Sequence, residues 1–137
     1  MLLRMDRIRS TRAQQIGDEG EQMAVAQLEL AGWRTLGRNV RLGRCELDVV
    51  AVDPGPPRML VLVEVRRRGR RDFGLPEETL DHRKRRALRR AAGTLAGLTA
   101  LPDGTPLPPL QLRVDLIAID QGSDGQTSVR HHRAVQL

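Results

Sequence analysis

Tyrosine is absent, and tryptophan and phenylalanine occur once each, as Trp33 and Phe73. Modules that bind single strands by stacking bases on aromatic side chains need several such rings, so that mode is excluded. Lysine is almost as scarce: of 23 basic side chains only Lys84 is not arginine. Cysteine occurs once, at Cys45. That rules out an intramolecular disulfide, a thiolate zinc cluster and an iron–sulfur centre, and it fits a reducing cytoplasm. No segment approaches the length of a membrane span, and Met1-Leu-Leu-Arg-Met-Asp6 has no apolar stretch of signal-peptide length. The expected location is therefore cytoplasmic.

What is present is positive charge. The 137 residues carry 23 Lys+Arg against 17 Asp+Glu, a net charge of +6 and a pI near 11.2. Such a balance favours a polyanionic partner, nucleic acid first and an anionic membrane surface second. An arginine-rich proteome would give the same excess, so charge alone does not decide. Contact with nucleic acid would run through arginines and phosphates, reading shape and charge rather than base sequence.

The length suits one domain with a single modest core. Residues 1–10 read as a flexible basic arm, and residues 11–137 as one domain. From Thr11 to Ala31 the pattern is helical, with Ile16, Met23 and Leu30 at heptad spacing, and Gly32 as the stop. Trp33–Leu36 and Asn39–Arg41 read as a strand bent at Gly37. Cys45–Val52 and Met59–Val65 are strands separated by the turn cluster Asp53-Pro-Gly-Pro-Pro57. The second is apolar on both faces until Glu64, which predicts a central strand covered on both sides. Pro76–Leu80 reads as a short helical turn. Asp81 is placed to cap a helix through about Leu98, with Leu80, Ala87, Leu88, Ala91 and Leu95 inward. Leu110–Asp120 and Thr127–Val135 complete the strands, the last at an edge. The predicted architecture is an α/β sandwich in the order α-β-β-β-α-β-β, with a mixed sheet of about five strands.

The chemistry sits on the strands. Residues two apart in an extended chain share a face, so Glu46 and Asp48 point together, as do Glu64 and Arg66. Unpaired carboxylates are costly to bury and require a cation, a metal or solvent. An acid on one strand facing acid-x-base on the next is the skeleton of a divalent-metal nuclease site. In it Asp48 and Glu64 would hold Mg²⁺ or Mn²⁺ through carboxylate oxygens, with the Val65 carbonyl as a third protein ligand. Glu21 or Glu46 would add a second metal site or orient the first. The arginines Arg67, Arg68, Arg70 and Arg71, with Arg83, Lys84, Arg86 and Arg90 on the following helix, would form phosphate-binding rims. The bland alternative is a set of internal ion pairs. For Arg113 and Asp115, which share a face of a buried strand, a salt bridge is the favoured account. His131 and His132 point opposite ways on an edge strand and are expected as surface histidines. Cys45 is expected to pack as a small apolar group.

Between Ile16 and Val135 the chain resembles the UPF0102 family. The residues that carry this are Gly17-x-x-Gly-Glu-x-x-Ala24, Arg38-Asn39, Glu46-Leu-Asp-Val-Val-Ala51, Val63-Glu-Val-Arg66, Phe73-Gly-x-Pro76, the helix bearing Lys84, and Arg113-Val-Asp115. The resemblance implies a restriction-endonuclease-like fold, similar to that of Holliday-junction resolvases, whose signature is Asp, then Glu-x-Lys, with a helical Glu upstream. Carried over by position, it implies Asp48, Glu64 and Arg66 as catalytic, with Glu21 as the helical acid. It also implies DNA ahead of RNA as partner and is compatible with a homodimer. The chain departs at Arg66, where the signature has lysine. Arginine stays charged and cannot act as a base, so it would stabilise an anion or clamp Glu64 or Asp48. Three readings stay open: a metal-dependent endonuclease, a non-catalytic nucleic-acid-binding module on a degenerate nuclease fold, and a protein-interaction scaffold.

Overall fold

The computed structural model describes residues 12–68, 74–122 and 124–137, with side chains from residue 19 onward. The basic arm expected over residues 1–10 lies outside them, as do Arg70, Arg71 and Phe73. The elements are α1 (Arg12–Leu30), β1 (Arg34–Leu42), β2 (Cys45–Asp53), β3 (Met59–Arg68), a 3₁₀ turn (Pro76–Thr79), α2 (His82–Ala96), β4 (Leu112–Gln121) and β5 (Thr127–His132). This is the predicted order.

The five strands form one sheet in the order β1-β2-β3-β4-β5. All neighbours are antiparallel except β3 and β4, which run parallel with α2 in the crossover between them. Alternation along β3 divides the core. Val61 and Val63 pack with Val49, Ile117, Ala24, Leu28 and Trp33 on the α1 face. Leu60 and Leu62 pack with Leu116, Leu88, Ala91 and Leu95 on the α2 face. The central strand is thus covered on both sides, as its apolar run predicted.

Each helix end has a local cause. Gly32 takes φ +89, the Trp33 N–H donates to the Leu28 carbonyl at 3.0 Å, and the Gly32 N–H donates to that of Glu29 at 3.0 Å. This closes α1 in a Schellman motif, with Leu28 and Trp33 meeting in the core. Asp81 caps α2 by accepting from the Lys84 N–H at 2.9 Å. The heptad expected along α1 is corrected at Leu30; Met23 packs partly buried against the core, and the Ile16 side chain lies outside those described. The inward ridge of the helix holds Gly20, Glu21, Ala24 and Leu28, whereas Leu30 is 90 % exposed. Leu30 falls on the last turn, beyond the edge of the face that the sheet covers.

In β1 the predicted bend is a bulge, with a register shift between Thr35 and Gly37. A Cβ at Gly37 would stand 2.8 Å from a Val40 methyl and 2.9 Å from a Leu101 methyl, so any larger residue would have to push these core side chains aside. β5 is an edge strand but ends at His132, short of the predicted Val135. Ala134 turns the chain at φ +54, and its N–H donates to Asp115 at 3.0 Å.

Candidate functional site

β2 and β3 are in register from Val49↔Val63 to Asp53↔Met59, and beyond Val49 the ladder stops. There the Val65 N–H donates to Asp48 Oδ2 at 2.8 Å, a bond across the opening that fixes the Asp48 carboxylate. Glu64 follows Leu62 by two residues and turns to the α2 face, where Lys84 Nζ lies 3.4 Å from its Oε1. Arg66, two residues further, brings Nε to 3.2 Å from the same oxygen.

Of the four residues expected to act together, three meet here: Asp48, Glu64 and Arg66. Glu21 comes from the helix on the opposite face of the sheet. It is buried, and Arg38 of β1 lies 3.8 Å from it. Glu46 is about half exposed and pairs with Arg41 at 3.6 Å.

The electrostatics of the pair are unfavourable. The Glu64 side chain is only 4 % exposed, and its Oε2 accepts no hydrogen bond from any described residue. Burial, and next the neighbouring Asp48 charge, push its pKa up to about 7, against the pull of Lys84 and Arg66. Asp48 is raised too, by burial, although the Val65 N–H and the Lys84 charge work the other way. The two carboxylates therefore compete to be ionised, and one proton or one added cation would settle the contest.

Asp48 and Lys84 line a cleft of about 610 Å³ between the β1–β2 turn and α2, with Arg44, Cys45, Glu46, Arg90 and Thr94 among its other walls, and Glu64 lies buried behind them. Cys45 also packs against the core, as expected of a small apolar group.

The arginine rims divide. Arg83, Arg86 and Arg90 are exposed on α2. Arg90 faces the acid cleft, whereas Arg86 lines a second cavity with Arg85, Arg89 and Leu137. Arg67 pairs with Glu19 at 3.1 Å. Arg68 is half-buried at the end of β3.

Sequence reasoning placed Lys84 among the rim cations, but its side chain turns inward to the acids instead. Two signals were available. Lys84 is the sole lysine, and it lies on the ridge of Leu88, Ala91 and Leu95, the buried face of α2. Arg44 was not singled out at all, since a turn arginine has no periodic mark.

On the α1 face a second acid is buried differently. Asp115 accepts from Arg113 Nε and an Arg113 Nη at 2.8 and 2.9 Å, and from the Ala134 N–H at 3.0 Å. His131 Nε2 lies 2.8 Å from its Oδ2, and Arg113 also reaches Asp53 at 2.8 Å. The Arg113–Asp115 salt bridge is as expected. His131 is not: it is mostly buried, with its ring 5.4 Å from that of Trp33. The Ile117↔His131 pairing puts it beside Asp115, so register overrides the edge position. His132 points the other way, half exposed, to Glu77 at 2.8 Å.

Residues 20–119 match the model of "Uncharacterised protein family UPF0102". A UPF0102 protein of Symbiobacterium thermophilum is 36% identical over 118 residues, 86% of this chain and 92% of its own length. One from Chlorobaculum parvum is 37% identical over 125 residues, 90% of this chain and 89% of its own. The chain belongs to the UPF0102 family.

Proposed function

We propose that the cleft is a divalent-metal-dependent endonuclease site, cutting phosphodiester bonds in nucleic acid, with DNA the first substrate class to test. The observation that supports this best is the buried Asp48–Glu64 pair, two neighbouring carboxylates of which Glu64 Oε2 accepts no hydrogen bond from the described residues, with Asp48 on the wall of a cleft that also carries Arg44, Lys84 and Arg90. The donor set fits Mg²⁺ or Mn²⁺: hard carboxylate oxygens, one of which, Glu64 Oε2, accepts no hydrogen bond from the described residues. Asp48 and Glu64, with the Val65 carbonyl, would hold an ion that keeps several waters, as Mg²⁺ does. When bound, the ion would polarise the phosphodiester and make a bound water more acidic.

The chain's own groups supply the rest. Asp48 is held in place by the Val65 N–H, so its carboxylate is oriented before any ligand arrives. Arg44 and Arg90, at the cleft wall, would hold phosphates on either side of the scissile bond. Arg66 cannot take a proton at neutral pH; it neutralises charge beside Glu64.

A second reading, a non-catalytic nucleic-acid-binding module, is favoured by Arg66 and Lys84 already standing at Glu64. One experiment separates them: a cleavage screen on four-way junction, flap and linear duplex DNA with Mg²⁺ or Mn²⁺, beside a binding assay across salt. Cleavage lost in Asp48→Ala supports the nuclease. Salt-dependent binding without cleavage supports the module. Neither binding nor cleavage leaves the protein-interaction scaffold. A homodimer, which would cut two strands at once, is tested by the same protein's sedimentation with and without junction DNA.

No helix among the described residues is long and apolar enough to cross a membrane.

A further inference from the structure

Helix α2 begins His82-Arg-Lys-Arg-Arg86, so Lys84 is flanked by arginines. Positive charge is not what sets this position apart. What sets it apart is being the sole lysine among 23 basic residues, at the place where a cation from α2 meets a buried carboxylate.

The local geometry gives a reason for a compact, single-point charge. Arg66 Nε already lies 3.2 Å from Glu64 Oε1, and Lys84 Nζ approaches the same oxygen to 3.4 Å. A second guanidinium there would bring five donors to a carboxylate with room for few of them. The Lys84 backbone is pinned, since its N–H is held by the Asp81 cap at 2.9 Å. Its side chain is 28% exposed and borders the cleft, so the four-carbon stem has somewhere to swing. An ammonium held by one contact leaves more easily than a forked guanidinium held by two.

We infer that Lys84 is a displaceable counter-ion. In the metal-free protein its ammonium stands beside Glu64, and when a divalent cation binds the Asp48–Glu64 pair it moves out into the cleft, towards the wall that carries Arg44 and Arg90. Lys84 is thus a positioning residue. It keeps the acid pair folded and ordered until a cation of higher charge replaces it, and then adds a positive charge where a phosphate would lie. This rests on the metal site proposed above.

The test is Mn²⁺ binding to the full-length protein stripped with chelator, read by the electron paramagnetic resonance of free Mn²⁺, for wild type, Lys84→Met and Lys84→Arg. Removing a competing charge at this range should tighten binding about threefold to tenfold in Lys84→Met. The forked Lys84→Arg should bind more weakly than wild type. Without metal, Lys84→Met should melt below wild type at pH 8, and saturating Mn²⁺ should close that gap. If Lys84→Met folds poorly, Lys84→Gln is read the same way. Equal or weaker Mn²⁺ binding in the neutral variants, with wild type binding normally, overturns the counter-ion role alone. Folded wild type and variants that all fail to bind Mn²⁺ overturn the metal site and this inference together.

Discussion

The same sheet buries two carboxylates, Asp115 on its α1 face and Glu64 on its α2 face, and treats them in opposite ways. Asp115 is fully buried yet has four polar partners: two Arg113 nitrogens, the Ala134 N–H and His131. Burial works to raise its pKa, but those hydrogen bonds outweigh it and hold the carboxyl at about 2. Glu64 is buried almost as deeply and faces a second acid. Two cations crowd one of its oxygens while the other accepts nothing from the described residues, and burial with the Asp48 charge lifts it to about 7. Burial alone therefore does not mark a site. The Asp115 ion pair, which serves the fold, is fully satisfied; on the α2 face two cations stand at one oxygen of Glu64 while its Oε2 accepts nothing from the described residues, which leaves a place for a further cation.

The largest expected effect lies on the satisfied side. Asp115→Asn removes the charge that Arg113 faces and replaces one of the two acceptor oxygens with an NH2 donor turned towards Arg113 or His131, and should cost about 3–5 kcal/mol in urea unfolding. A loss under about 1 kcal/mol would mean that the network is not what ties β5 and the C-terminal segment to the sheet. The matching change on the other face should act with the reverse sign. Glu64→Gln removes the raised carboxyl and should keep or increase metal-free stability at pH 8, by up to about 2 kcal/mol.

That pair of variants also separates two pH windows. A carboxyl held at about 7 when folded but at its ordinary 4.5 when unfolded adds stability below 4.5, and the gain is lost as pH rises through 7. Metal-free wild type should therefore melt at lower temperature at pH 8 than at pH 5, and Glu64→Gln should flatten that slope. Asp115 behaves oppositely. Its contribution is present above the ordinary 3.8 and is lost as pH falls towards about 2, so Asp115→Asn should change only the acid limb.

How much of this was legible in the sequence follows from what makes each signal local. The order of elements along the chain, the central β3, the Asp81 cap and the Gly32 stop are marked by patterns within single segments, and they stand as predicted. So does the meeting of Asp48, Glu64 and Arg66, because two-residue alternation and one hairpin suffice to bring them together. The missed features are set by tertiary packing. His131 is drawn inward by pairing with β4, Leu30 falls off the end of a covered face, and Lys84 reaches the acids only because α2 crosses over the strand that bears Glu64. Glu21 shares the inward ridge of α1, as its spacing indicated, but spacing along one helix could not show that Arg38 would lie beside it.

The smallest expected effect is at Arg66. Arg66→Lys restores the Asp, Glu-x-Lys signature but adds an ammonium where Lys84 already supplies one. The side chain is 26% exposed, so the stability change should stay within about 1 kcal/mol. A large gain in metal-dependent cleavage would show that arginine at position 66 limits the chemistry of the site.

The comparison of the two faces is tested most directly by carbon-detected NMR titration of the Glu64 side-chain carboxyl, without metal and with saturating Mg²⁺. The account expects a midpoint of about 7 in the metal-free protein, falling well below the ordinary glutamate value once Mg²⁺ is bound. A midpoint near the ordinary 4.5 in both conditions would show that Glu64 is as well satisfied as Asp115, and the α2-face cleft would then be no metal site.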